Sequence, residues 1–331
     1  MKVSEEYKRL YHYTTWNGLL GILKNQSLWA THHRFLNDYS ETLLMKNKLF
    51  EFVRPVVHKE SSDFLNKNPD HKKIMQQIND NGGFEALVDQ RSSLFIDGMY
   101  ESLPNSGLYI TSFCKENEDE YINENGVLSQ WRGYGRDGGF ALVFNAQGLE
   151  HILQEEVEKY DYSFLQLSDV VYSDDEEGLK SELGPRLHYI KEHIKRIIRS
   201  IPKGKYDPDP EKDSKEYDAF ISCISRYKHQ GFKEENEVRI CAFPVVHNEE
   251  YLKSSAHEKN QLPPEKERKF REKNGEWVPY IELFDSLDKD LPIEKIIVGP
   301  HQNMEMRVSA LKVMLCGKNI DVRASDIPFI G

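Results

Sequence analysis

Short β-prone runs recur along the chain at irregular intervals, over residues 9–14, 28–31, 107–114, 139–144, 237–243, 293–298 and 320–323. The helical stretches between them are very unequal in length. A doubly wound fold needs strands and helices in regular alternation, so this spacing predicts an α+β fold on a mixed sheet. No internal repeat shows at any fixed period.

Local signals fill in the elements. Arg9 to Thr14 is aromatic and β-prone; Thr15 is then an N-cap for a helix whose Trp16, Leu19, Leu20 and Leu23 fall at helical spacing. A polar loop, Arg34 to Asp38, leads into a helix from about Ser40 to Val53 that Pro55 should end. The acidic loop 115–125 precedes a short helix, 128–134. A long helix should follow Ser173, with Asp174, Asp175, Glu176 and Glu177 in its first turn and Lys195, Arg196 and Arg199 near its end. That polarity matches the helix dipole, and Gly184-Pro185 should kink or split the helix. Residues 202–213 read as a linker and 214–229 as another helix. The charged stretch 248–274, with Pro263-Pro264, reads as a mobile surface loop. The prediction is a single domain over 1–331, with helical insertions at about 50–105 and 160–230 packed outside the sheet.

The net charge of −11 argues against coating nucleic acid or anionic membranes through the overall field. No apolar run approaches the roughly 20 residues of a membrane span, and the first residues lack a signal-like apolar region. Cys114, Cys223, Cys241 and Cys316 lie far apart without paired spacing, which suits a reducing compartment. A cytoplasmic protein is expected.

Several tempting motifs fail. Gly133 to Gly138 fits G-x-G-x-x-G, but a dinucleotide fold needs a strand before it and a helix after it, and here the order is reversed. His32 and His33 are adjacent, so in an extended chain they point to opposite faces. His188 and His193 are five apart rather than four. With no paired cysteines beside them, no metal site is predicted. No G-x-S-x-G elbow is present.

Three islands carry polar residues where a strand or its edge should be apolar. In Tyr11-His12-Tyr13-Thr14, alternation sends the tyrosines to one face and His12 and Thr14 to the other. His12 is then either a ligand contact or a core histidine bonded to backbone. Trp131 and Tyr134 lie three apart, hence on one helical face, as core or as a stacking platform. Glu235 and Glu237 share a face at the mouth of an apolar strand, as a reactive pair or as a solvated charged edge.

These phrases carry a resemblance. The opening L-Y-H-Y-T, the L-x-x-W-x-x-Y-G ending at Gly135 and the F-x-x-E-x-E-x-R ending at Arg239 resemble a bacterial family known as domain of unknown function 2971. Matching phrases at Arg34 to Asp38, Val278 to Ile281 and Ile296 to Pro300 extend the resemblance over nearly the whole chain. It brings no activity with it. More distantly, a histidine on the first strand, a mid-chain aromatic and a late E-x-E resemble the ADP-ribosyltransferase superfamily, particularly its DNA-modifying toxin branch.

That second resemblance implies a split mixed or antiparallel sheet and NAD as substrate. It implies an effector, in a toxin or phage-defence setting, that transfers ADP-ribose to a nucleic-acid base or a protein, or hydrolyses NAD. Glu237 would stabilise the oxocarbenium-like ribose, and Glu235 would position or deprotonate the acceptor. His12 and Thr14 would bond the ribose or the nicotinamide amide, Arg34 would grip pyrophosphate, and Tyr13, Trp131 or Tyr134 would stack on nicotinamide. The competing reading is a binding module for a nucleotide or partner, without turnover. A magnesium nuclease built on Asp38 and Glu41 lacks any paired acidic motif and ranks last.

Overall fold

The computed structural model describes residues 2–36, 40–101, 107–134, 138–172, 177, 179–200, 208–247, 249, 262–273 and 275–328. Asp38, Asp174 to Glu176, and most of 248–261 therefore lie outside the described residues. The chain divides into two compact units: residues 1–36, 108–170 and 231–331 form the first, and residues 37–107 and 171–230 the second. The two segments that make up the second unit overlap the helical stretches read as insertions at about 50–105 and 160–230.

The first unit is a sheet with helices. Its strands are β1 (Arg9–Thr14), β2 (Leu28–His32), β3 (Tyr109–Lys115), β4 (Phe140–Asn145) and β5 (Tyr162–Asp169), then, after the short β6 (Val171–Tyr172) and β7 (Tyr227–Lys228) of the second unit, β8 (Glu237–Pro244), β9 (Lys269–Lys273), β10 (Glu276–Leu283), β11 (Ile293–Val298) and β12 (Asp321–Ala324). They run in the order β12-β11-β4-β1-β3-β2-β10-β9, with β8 also on β3 and β5 beyond β8. Among the described residues, β11–β12 is the one parallel pair in this sheet. The α+β class with a mixed sheet is therefore the observed one.

β3 is the branch point. Cys114 faces Tyr11 of β1 on one edge and Glu237 of β8 on the other, while Ile110 faces Thr31 of β2 and Cys241 of β8. β1 and β2 therefore share a single edge of β3 and diverge from it. One sheet face carries Leu10, Phe113, Leu142, Phe144, Val238 and Ile296 in the main core. The other carries Tyr11, Tyr13, Cys114, Ala141, Val143 and Ile297 under Trp131.

Helix starts follow the capping chemistry. Thr15 and Asn145 each accept a backbone N–H three residues on, opening the Trp16–Asn25 and Ala146–Lys159 helices. The second of these holds a fully buried carboxylate. Glu156 is met by Lys266 Nζ at 2.7 Å, the Tyr162 hydroxyl at 2.9 Å and the Phe284 N–H at 3.1 Å, so its burial is compensated.

Three expectations about elements are corrected. β5 falls in a stretch read as helical; its polar, half-exposed face hides the strand from periodicity, and it is set by pairing with the wholly buried β8. β9 occupies 269–273 of the presumed loop, where alternating charges look like coil until β10 pairs with them. The Ser40–Lys67 helix runs through Pro55 instead of stopping there. Met45, Leu49, Val53 and Val57 form a buried stripe on it while Pro55 is exposed, so packing of the buried face offsets the lost hydrogen bond and the proline sits on the solvent side.

The rest of the second unit comprises the His71–Asp80, Gly83–Glu101, Gly184–Ser200 and Pro210–Arg226 helices. A π-turn over Leu179–Leu183 meets the α-helix at Gly184, so Gly184-Pro185 does mark a break. Among the described residues no helix is long and apolar enough to cross a membrane.

Candidate functional site

His12 sits where β1 leaves β3. Its ring Nδ1 donates to the Ser112 carbonyl at 3.0 Å, replacing a ladder bond that the divergence removes, and its ring lies 5.6 Å from Phe113. Burial pushes its pKa down, with the bond to Ser112 opposing, so the ring is neutral at pH 7. Thr14 shares this face and packs into the first turn of the following helix: a Cβ at Gly18 would lie 2.0 Å from its hydroxyl. The structure therefore joins His12 with Thr14.

Glu237 opens β8 on the other face. Register and alternation put Glu237 with Cys114 and Tyr11, and Val238 with Phe113 on the side of His12. His12 and Glu237 thus emerge on opposite faces of one sheet and do not form a joint site. Arg239, two residues along, donates from Nε to Glu237 Oε1 at 2.7 Å and from Nη2 to Oε2 at 3.0 Å. Both side chains are buried. Glu235 is not on the strand: it ends the 3-10 turn Gln230–Glu235, and Asn236 between them is left-handed at φ 47°. The strand rule that would align Glu235 with Glu237 therefore does not apply.

The aromatic candidates separate as well. Tyr13 and Trp131 are buried edge to face, ring centres 4.9 Å apart. The Tyr13 hydroxyl accepts the Val127 N–H at 2.9 Å, and Trp131 Nε1 donates to the Asn125 carbonyl at 3.0 Å. Cβ atoms at Gly126 and Gly299 would lie 2.6 and 2.7 Å from the Trp131 ring, so glycine is required on both sides of it. These rings are core, not a platform for nicotinamide. Tyr134 is exposed, unlike these two rings. Arg34 is exposed on the turn after β2. His32, just before it, pairs with Tyr109 at the far end of β3 from Cys114, about 17 Å from the Glu237 row at roughly 3.4 Å per residue.

The adjacent histidines are corrected too. The chain turns from strand to 3-10 helix at His33, so the rings stack 4.7 Å apart instead of pointing apart. Desolvation holds each at a pKa of about 4.

What the sequence reading missed is Ser112. It is the exposed position of a strand otherwise buried at its core, it pairs with Arg239 across to β8, and it shares the face of Tyr11, Cys114 and Glu237. A serine alternating with Ile110 and Cys114 was the available signal. This face carries an exposed hydroxyl beside a buried guanidinium–carboxylate pair, groups of the kind that donate to phosphate and accept from ribose hydroxyls.

Residues 130–240 match the model of a family described as Protein of unknown function (DUF2971), which supports the unknown-function family resemblance. The matched segment contains Trp131, Glu235, Glu237 and Arg239. No curated protein and no solved structure matches the chain.

Proposed function

We propose that the Glu237 face of the sheet binds a nucleotide, with NAD as the ligand that the E-x-E-x-R phrase nominates. The observation that carries this reading is the bidentate Arg239–Glu237 pair beside the exposed Ser112. Arg239 would grip pyrophosphate oxygens in pairs, and Ser112 would bond a phosphate or ribose oxygen.

Turnover is the second reading, and the same pair sets its condition. A carboxylate about 4 Å from a cationic ribose contributes on the order of 4 kcal/mol at near-surface dielectric, but a guanidinium equally close offsets most of it. Glu237 becomes an effective transferase carboxylate only when pyrophosphate draws Arg239 away. ADP-ribosyl transfer of the split-sheet superfamily type, to a base or a protein, is therefore proposed as conditional on that exchange. Without it the protein is a binding module.

Calorimetric titration of NAD, run beside a nicotinamide-release assay with DNA, RNA and protein acceptors, tests both readings. Binding that Arg239→Gln weakens supports the site, and nicotinamide release that Glu237→Gln abolishes supports transfer. Binding without release leaves the module, and no binding removes NAD from the proposal.

A further inference from the structure

In the second unit three metal-ligand types converge from two helices. His193 lies on Gly184–Ser200, and Asp213 and Glu216 lie three apart on Pro210–Arg226, hence on one face. One ligand atom from each lies within 4.8 Å of the other two. His193 Nδ1 is 2.5 Å from Glu216 Oε2. Sequence spacing pointed away from a metal because it tested His193 against His188; the partners come from the neighbouring helix.

The cluster borders a cavity of about 130 Å³ whose other walls include Met99, Ile190 and Phe220. An ion bridge that only ties two helices together needs no cavity beside it. Here the two carboxylates and the imidazole line an apolar pocket large enough for an ion and its waters.

Arg196 now supplies the counter-charge. Its Nη2 lies 2.5 Å from both Asp213 Oδ1 and Glu216 Oε2. A dication in place of this guanidinium would bring two positive charges to the two carboxylates instead of one. Arg196 is one turn from His193 and its side chain is about a quarter exposed, so it can swing to solvent without unfolding the helix.

We propose that His193, Asp213 and Glu216 form a site for a first-row transition-metal dication, which exchanges with the Arg196 guanidinium. One imidazole nitrogen with two carboxylates favours zinc-like ions over magnesium, whose preferred ligands are all oxygen. Waters in the cavity complete the shell. The site is independent of the nucleotide reading.

The test uses the full chain, stripped with chelator and titrated calorimetrically with zinc chloride and, separately, magnesium chloride. One zinc ion per chain should bind, with magnesium far weaker. Glu216→Gln and His193→Gln should each weaken zinc binding by on the order of a hundredfold. Arg196→Met should tighten it, because the competing cation is gone. Circular dichroism checks folding, and Asp213→Asn replaces any variant that fails to fold. The protein has 12 histidines, so stray zinc sites would survive in all these variants. Zinc binding unchanged by them, or absent from the folded wild type, overturns the proposal; so does an Arg196→Met protein that binds no more tightly.

Discussion

His12 and Glu237 lie two strands apart in the same sheet and point to opposite faces, because Phe113 and Val238 continue the row of His12 while Cys114 continues that of Glu237. Two roles follow. His12 closes the sheet where β1 leaves β3, and Glu237 faces the Ser112 side. His12→Ala should therefore lower unfolding free energy by about 0.5–1.5 kcal/mol, the net worth of its hydrogen bond to the Ser112 carbonyl. NAD affinity should stay as in the wild type. Urea titration and calorimetry on one preparation separate the outcomes, and a large loss of affinity without loss of stability would restore His12 to a ligand site.

Stability should fall on mild acidification. An unfolded histidine takes up its proton near pH 6.5, whereas folded His32 and His33 hold out until about 4. Between those values the unfolded state binds more protons, so stability is full above pH 6.5 and declines towards pH 4. The contribution is at most about 3 kcal/mol from each ring. His12, also depressed, acts in the same direction. Urea midpoints measured from pH 7 to pH 4.5 should show the slope, and His32→Asn with His33→Asn should flatten it.

Glu156→Gln should be among the most damaging substitutions in the first unit. It strands the Lys266 ammonium, 2.7 Å away and almost wholly buried, beside a neutral amide. Breaking a buried pair this way costs about 3–5 kcal/mol. Lys266 keeps Asp285 at 2.7 Å, which favours the lower end. Removing both partners with Glu156→Gln and Lys266→Met should cost less than the two single changes added together, and thermal melts of the three proteins measure the difference.

Pro55→Ala should stabilise the second unit by up to about 3 kcal/mol. The proline is exposed in the interior of the Ser40–Lys67 helix, where alanine restores a backbone donor and disturbs no buried contact. Hydrogen exchange of the amides around residue 55 reports this locally. Exchange as fast as in the wild type would mean that the restored donor adds no protection there.

The strands carried by aromatic or apolar runs were legible in the sequence: β1, β4, β8 and β11 stand where those runs put them. β5 and β9 were not, since both are half-polar and gain strand character from a partner far along the chain. For the candidate site, alternation within β1 correctly separated Tyr13 from His12. Whether His12 and Glu237 meet depends on which strand lies between them, and one chain's periodicity does not contain that. The placement of Glu235 failed for a local reason, the left-handed Asn236 just before the strand.

The branch at β3 also governs when this protein can fold during synthesis. β3 pairs with β1 and β2 near the start of the chain and with β8 far beyond it. A nascent chain that has emerged only as far as Asn236 can join β1, β2 and β3, but one whole edge of β3 stays open. An unpaired edge on an apolar strand invites association with other chains. The interval before Glu237 to Pro244 leaves the ribosome is thus the protein's period of greatest exposure to aggregation, and chaperone demand should be concentrated there.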